Sequence, residues 1–165
     1  MLLSEEFFKG SISPSLVFAG GFSFGGATAG AAISRKTNTG YRAAILIDGW
    51  YYIGFKKYGI DVDLPLELHE RSSAPDVPCL FIGSEEFSNR KDLAAKTKKV
   101  QSLCRLKPEV HVLEGTRHGN FMDAGWWLPL ARSLSLTGTA DYHDTYIDIV
   151  RMMHAFLDKN RKSLE

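Results

Sequence analysis

One serine of this chain lies in a sequence pattern typical of an enzyme nucleophile. Ser23 is the centre of Gly21-Phe22-Ser23-Phe24-Gly25, which fits the G-x-S-x-G pattern of a nucleophile elbow. There the serine occupies a strained turn between a strand and a helix, and a Cβ at either glycine is expected to collide with the neighbouring chain. The turn exposes the hydroxyl and directs the backbone N–H of Phe24 at a developing oxyanion. A glycine-rich turn without chemistry is the alternative reading.

A serine nucleophile needs a general base, and the sequence offers one well-placed histidine. His118 lies in "EGTRHGNFMD", a loop that follows the last predicted strand, where a base could reach the elbow. A capping or surface histidine is the alternative for this residue. The other histidines lie in a predicted strand (His111), in a polar segment (His69) and in or near a C-terminal helix (His143 and His154).

The acid that orients the base has more than one candidate. Asp48 ends the run "AAILID" and so lies at the carboxyl edge of a strand, where open α/β sheets collect reacting groups. Glu85 and Glu86 follow the next strand and are rivals, because other hydrolases built on an open α/β sheet place their acid after that strand. Asp76 precedes its strand and lies at the wrong end. Position favours Asp48 but leaves the two glutamates open.

The segments that must position these residues alternate between strand and helix patterns. Four short apolar runs predict buried parallel strands, and helical patterns lie between and after them. This alternation predicts one α/β domain over residues 1–165, with the strands in chain order and the elbow strand at one edge. Residues 49–78 have no clear period and form a long excursion of a kind that is often functional. The predicted strands are Ser15–Ala19, Ala43–Ile47, Cys79–Ile82 and Val110–Leu113; the predicted helices are Phe24–Lys36, Asn89–Cys104 and a C-terminal helix with Tyr146, Ile149, Val150, Met153 and Phe156 on one face.

The composition argues against several classes of protein. Twenty basic and nineteen acidic residues nearly cancel, so nucleic acid is not an expected partner. Cys79 and Cys104 are too few for a disulfide framework and are interpreted as buried thiols. The N-terminus lacks a signal-peptide pattern and no segment is long and apolar enough to span a membrane, which favours a cytoplasmic location.

The stretches around the candidate residues resemble a known family. "GFSFGGAT" is similar to the "GHSFGGAT" elbow of the plasma and intracellular type II platelet-activating factor acetylhydrolases, and the similarity continues in order through "AAILIDGWYYIG", "PCLFIGSEEF" and "RHGNFMD". The resemblance implies an α/β-hydrolase fold and a Ser-Asp-His triad without metal or other cofactor. It implies hydrolysis of short or oxidised acyl esters at the middle glycerol carbon of phospholipids. The matched positions are Ser23, Asp48, His118 and, as first oxyanion donor, the N–H of Phe24.

Two features depart from the family's pattern. Phe22 replaces the histidine usual before the nucleophile, a change expected to alter packing beneath the elbow and not the chemistry. Family members also carry several strands before the elbow, including the loop that supplies the second oxyanion donor, whereas only about twenty residues precede Ser23. This predicts a fold truncated at its N-terminus, in a fragment or a shortened relative. The strand Ser15–Ala19 is then an unpaired apolar edge that invites self-association.

Three tryptophans are candidates for contact with substrate or lipid. Trp126 and Trp127 lie in "AGWWLPLARSLSL", which is either a buried packing helix or a face that settles on a lipid surface. The resemblance favours lipid contact, because the relatives work at lipid surfaces, and tryptophan suits that boundary. Trp50 follows Asp48 in the Asp-x-Trp motif and is the third candidate.

The sequence therefore leaves three functions open. The first is a serine esterase acting on phospholipid. The second is a non-catalytic remnant that keeps the triad residues and binds lipid or a partner subunit. The third is another esterase of the same fold, such as a dienelactone hydrolase-like enzyme or a small lipase.

Overall fold

The computed structural model describes residues 13, 16–34, 40–55, 60–63, 76–128 and 130–162, and a four-stranded parallel sheet lies at its centre. The strands in chain order are β1 (Val17–Phe22), β2 (Tyr41–Ile47), β3 (Tyr52–Phe55), β4 (Ile60–Asp63), β5 (Cys79–Ser84) and β6 (Glu109–Leu113). The helices are α1 (Phe24–Ile33), α2 (Glu85–Asn89), α3 (Lys91–Leu103), α4 (Ala124–Trp127) and α5 (Tyr142–Lys162). The sheet order β1-β2-β5-β6 follows the chain and confirms the predicted α/β fold and strand order.

The register of the sheet aligns the carboxyl ends of its strands. Phe22 of β1 pairs with Ile47 of β2, and Ile47 pairs with Ile82 of β5. Ser23 follows β1 and Asp48 follows β2, so the two residues are neighbours at the carboxyl ends of the strands. Parallel pairing is what brings them together, because it puts the carboxyl ends of both strands on the same side.

Helices cover both faces of the sheet, which is why its central strands are apolar throughout. Side chains of β2 alternate between the two faces with the period of two that a strand dictates. Each large aliphatic side chain buried in this way contributes about 1.5–3 kcal/mol. One face packs Ala44, Leu46 and Phe81 against Ala27 and Ile33 of α1 and Val100 of α3; the other packs Ala43, Ile45, Leu80 and Ile82 against Ile149 and Phe156 of α5.

The ends of several elements differ from the predictions, as for β1, which was predicted as Ser15–Ala19 and is observed as Val17–Phe22. Other differences concern whole elements and one face. The excursion over residues 49–78 contains an antiparallel pair, β3 and β4, that was not predicted. The second predicted helix, Asn89–Cys104, is observed as α3, and the short helix α2, which was not predicted, precedes it with the extended Arg90 between them. Tyr146, expected on the packed face of α5, is exposed. Ser15, Lys36 and His69 lie outside the described residues.

Three further observations bear on the expectations from the sequence. No described strand pairs with the side of β1 that faces away from β2, and self-association through that edge stays a prediction. Cys79 is buried as expected, whereas Cys104 is only partly buried; both are free thiols. Of the helices in the described ranges, none has the length and hydrophobicity that crossing a bilayer requires.

Candidate active site

Ser23 lies in a strained turn between β1 and α1. Its backbone has φ 58° and ψ −123°, a region that residues other than glycine rarely occupy. Hydrogen bonds hold the turn, since the Ser23 N–H donates to the Ile47 carbonyl at 3.0 Å and the Ser23 carbonyl accepts from the Trp50 N–H at 3.0 Å. The end of β2 therefore fixes the conformation that presents the serine hydroxyl.

The two glycines of the G-x-S-x-G pattern are not equivalent. A Cβ at Gly21 would lie 2.1 Å from the carbonyl oxygen of Gly25, a contact that no side chain tolerates. A Cβ at Gly25 would meet nothing within 4 Å. The expectation that both positions exclude a Cβ is therefore wrong for Gly25, because its Cα faces open space at the start of α1 while Gly21 lies under that helix.

A chain of two hydrogen bonds joins Ser23, His118 and Asp48. His118 Nε2 lies 3.0 Å from Ser23 Oγ, and His118 Nδ1 lies 2.7 Å from Asp48 Oδ2. An ionised carboxylate only accepts hydrogen bonds, so Nδ1 carries the proton and Nε2 has a free lone pair directed at the serine hydroxyl. This is the geometry that a base needs to remove a proton from a nucleophile.

Asp48 is buried at the end of β2 and is held by one neighbouring residue of β5. Its relative exposure is 3%, and its backbone has a positive φ of 42°. Ser84 donates to it from the backbone N–H at 2.8 Å and from the hydroxyl at 2.9 and 3.0 Å. Tyr51 is also buried nearby, and its pKa is raised mainly by this burial and to a smaller extent by Cys79, Cys104 and Asp48, which keeps the phenol neutral. The Asp48 carboxylate is thus buried, with Ser84 donating to both of its oxygens and a neutral phenol nearby.

Aromatic rings surround the imidazole of His118. Phe22 stacks on it with ring centroids 4.6 Å apart, Phe87 stacks on it at 4.5 Å, and Trp50 meets it edge-on at 5.8 Å. Phe22, which was expected to alter packing beneath the elbow, thus contacts the candidate base directly. The rings limit the rotation of the imidazole and exclude water from its faces.

The loop that carries His118 is fixed by a buried asparagine and a close glycine. The Oδ1 of Asn120 accepts from the backbone N–H groups of Arg117 at 2.8 Å and Gly138 at 2.7 Å. A Cβ at Gly119 would lie 2.0 Å from the carbonyl oxygen of Leu136, so only glycine permits this approach. Both residues belong to the short 3₁₀ turn His118–Phe121.

The two rival glutamates do not contact the imidazole. Glu85 Oε2 accepts from the backbone N–H of Gly115 at 2.6 Å, and Glu86 Oε2 accepts from the backbone N–H of His118 at 3.0 Å. Both carboxylates therefore bind the backbone of the histidine loop, while Asp48 binds the ring.

Phe24 begins α1 and lies beside Trp50. The N–H at the first position of a helix has no acceptor within that helix, so the Phe24 N–H is available to an oxyanion at Ser23. The Phe24 ring stacks on Trp50 with centroids 5.1 Å apart. The two rings form an apolar wall next to the serine.

The segment with Trp126 and Trp127 is at the surface. Trp126 is 56% exposed and Trp127 is 80% exposed, which excludes the buried packing helix that the sequence left open. Trp126 touches the start of α5 through an edge-on contact with Tyr142 at 5.5 Å. Further exposed apolar side chains follow closely in the chain: Leu128, Leu130, Leu134 and Leu136.

Some residues of the site were missed by sequence reasoning. Ser84 could have been found, because a serine between a strand and Glu85-Glu86 is a typical helix N-cap, and its hydroxyl does accept from the Phe87 N–H at 3.1 Å. Asn120 and Phe87 carried no local signal, since their roles depend on contacts with distant segments.

The parallel sheet, the elbow after β1, the aspartate after β2 and the histidine after β6 together define an α/β-hydrolase fold. The chain belongs to the family of platelet-activating factor acetylhydrolase, isoform II, whose model matches residues 3–165. It is 31% identical over 155 residues to the platelet-activating factor acetylhydrolase of Cavia porcellus. That match covers 92% of this chain but 31% of the relative, so the chain spans about a third of the relative's length.

Proposed function

We propose that the chain is a serine esterase that hydrolyses carboxylic esters through Ser23, His118 and Asp48. The observation that carries the proposal is the continuous hydrogen-bonded chain from Ser23 Oγ through both ring nitrogens of His118 to the buried Asp48. Family membership supports the same conclusion, because the family is named for an acetylhydrolase.

The proposed reaction has two halves that use the same residues. Ser23 Oγ attacks the ester carbonyl carbon while His118 Nε2 takes the hydroxyl proton, and the charge on the carbonyl oxygen is stabilised by the Phe24 N–H. His118 then gives the proton to the departing alcohol, and an acyl-serine remains. Water attacks the acyl-serine with His118 again as base, which releases the acid and restores Ser23. Asp48 keeps the imidazole in the required tautomer throughout.

The proposed substrates are phospholipids with a short or oxidised acyl group at the middle glycerol carbon. The support is the name of the Cavia porcellus relative, together with the family match. Trp50 and Phe24 suit such a substrate, because their stacked rings provide an apolar surface next to the serine.

We also propose that the surface around Trp126 and Trp127 contacts the lipid phase. Its support is the exposure of both tryptophans and of the leucines that follow them. Tryptophan prefers the boundary between headgroups and acyl chains, since it has an apolar body and one polar N–H. This contact would bring Ser23 to phospholipid substrates that remain embedded in a membrane.

Two measurements test the proposal: the turnover of a soluble ester and the covalent labelling of Ser23. We expect the full chain to hydrolyse p-nitrophenyl acetate and to react with a fluorophosphonate at Ser23, and Ser23→Ala to lose both activities. Adding a phospholipid with an acetyl group at the middle glycerol carbon tests the substrate class. No turnover and no labelling would reject the esterase and favour the binding remnant. Turnover of the soluble ester without preference for phospholipid would favour another esterase of this fold.

A further inference from the structure

The start of α2 contacts both the acid and the loop of the base. Ser84, the N-cap of this helix, donates to both oxygens of Asp48. Two residues later, Glu86 accepts from the backbone N–H of His118 at 3.0 Å. Residues 84–86 therefore connect Asp48 to the backbone of His118. The distance between these two residues determines whether the imidazole can act as a base.

This bridge is reinforced by contacts around Thr116. The Glu86 N–H donates to the Thr116 carbonyl at 3.2 Å, and Glu85 Oε2 accepts from the Gly115 N–H at 2.6 Å. Thr116 is itself buried. The loop that leads to His118 is thus bound to α2 at Gly115, Thr116 and His118.

Glu86 contacts the backbone nitrogen of His118, which lies close to the imidazole ring in the covalent chain. The backbone nitrogen of His118 is next to the Cα from which the imidazole projects, so a shift there moves Nδ1 and Nε2 by a similar distance. Displacements of about 1 Å in a reacting group can reduce rates by about a hundredfold. A carbonyl-type oxygen of the Glu86 side chain accepts from this backbone N–H, and it fixes this point of the backbone from outside the ring.

We infer that Glu86 is a positioning residue for His118, acting through the hydrogen bond to its backbone and not through its charge. The inference rests on the proposed function, since it assigns Glu86 a part in the same site. It separates two roles that sequence position could not distinguish: Asp48 orients the imidazole ring, and Glu86 orients the backbone that carries it. A glutamine, which keeps a carbonyl acceptor, should replace Glu86 well, whereas alanine should not.

The experiment compares Glu86→Ala, Glu86→Gln and the control Glu114→Ala in the full chain. Glu114 is an exposed carboxylate at the start of the same loop. With p-nitrophenyl acetate we expect Glu86→Ala to lower kcat about 10- to 100-fold with little change in KM. Glu86→Gln should remain within about fivefold of the wild type, because its amide oxygen still accepts from the His118 N–H. Glu114→Ala should have the kcat of the wild type. Equal kcat in Glu86→Ala and wild type, or an equal loss in the alanine and glutamine variants, would overturn the inference.

A spectroscopic measurement separates this inference from the proposed function. The proton shared by His118 Nδ1 and Asp48 should give a far-downfield ¹H resonance in the wild type and in Glu86→Gln. In Glu86→Ala we expect this resonance to broaden or disappear while the thermal unfolding transition remains cooperative. An unchanged resonance in Glu86→Ala contradicts the inference even if the wild type hydrolyses no ester. If the wild type hydrolyses no ester but the resonance changes in Glu86→Ala as expected, only the esterase proposal is contradicted.

Discussion

Phe22, the residue before the candidate nucleophile, stacks on the imidazole of His118 with ring centroids 4.6 Å apart and planes inclined by 26°. One side chain of the elbow strand therefore packs on the candidate base, although base and elbow are far apart in the chain. The contact gives the residue at this position a direct effect on the base, and it leads to the first prediction.

Phe22→Ala should lower kcat for a soluble ester by up to about tenfold, because an aromatic pair contributes about 0.5–1.5 kcal/mol to holding the imidazole. Phe22→His should retain most of the activity, since a second aromatic ring can stack in the same place. Steady-state kinetics with p-nitrophenyl acetate measures both. If Phe22→Ala has the kcat of the wild type, the contact is packing without consequence for the reaction.

Asp48→Asn should reduce turnover by about three to four orders of magnitude, because an amide cannot hold the imidazole in the required tautomer. Glu85→Gln is the matched control, and we expect a change of less than about fivefold, since its amide oxygen can still accept from the Gly115 N–H. The ratio of kcat/KM values on a soluble ester measures the difference. A loss in Glu85→Gln as large as that in Asp48→Asn would show that the acid is assigned wrongly.

The two glycines of the elbow should respond oppositely to alanine. Gly21→Ala should reduce the free energy of unfolding by about 1–3 kcal/mol or prevent folding, because its Cβ meets the backbone of α1. Gly25→Ala should be neutral or stabilising by up to about 1 kcal/mol, since alanine is the better helix former and the space is open. Urea unfolding followed by circular dichroism measures both. Equal destabilisation of the two variants would contradict the geometry of the turn.

Replacing Trp126 and Trp127 by alanine should weaken liposome binding and leave soluble-ester hydrolysis nearly intact. Both side chains are exposed, so their loss should not create the core cavity that costs about 3–5 kcal/mol for a buried tryptophan. Sedimentation with phosphatidylcholine vesicles measures binding, and Leu106→Ala, at an exposed apolar residue between α3 and β6, is the control. Unchanged vesicle binding in the double variant would remove the lipid-contact proposal, and an unfolded double variant would contradict the observed exposure of the pair.

The side of β1 with which no described strand pairs should make the chain associate with itself as its concentration rises, because unpaired backbone groups at an apolar edge recruit further strands. Sedimentation velocity over a wide concentration range measures this. Val112→Lys places a charge on β6 at the opposite edge of the sheet and should leave the association unchanged. A single monomeric species at all concentrations, or loss of association in Val112→Lys, would contradict pairing through β1.

Much of the fold could be predicted from local pattern. Buried parallel strands such as β2 and β5 read as continuous apolar runs, and a glycine-rich stretch after β1 predicts a helix pressed on a sheet. The order of the strands in the sheet could also be predicted, because elements that are neighbours in the sequence are usually neighbours in space. The pair β3 and β4 and the short helix α2 were missed, since four or five residues are too few to establish a period.

The sequence alone identified the elbow at Ser23, because Gly21 and the strand–helix boundary around the serine are local features of the chain. It could not decide which carboxylate contacts His118. Position in the chain favours Asp48 but leaves Glu85 and Glu86 open, because all three follow neighbouring strands and reach the carboxyl ends of the same sheet. Only the tertiary structure separates them, because the first turn of α2 directs both glutamates at backbone N–H groups of the loop while Asp48 points at the ring.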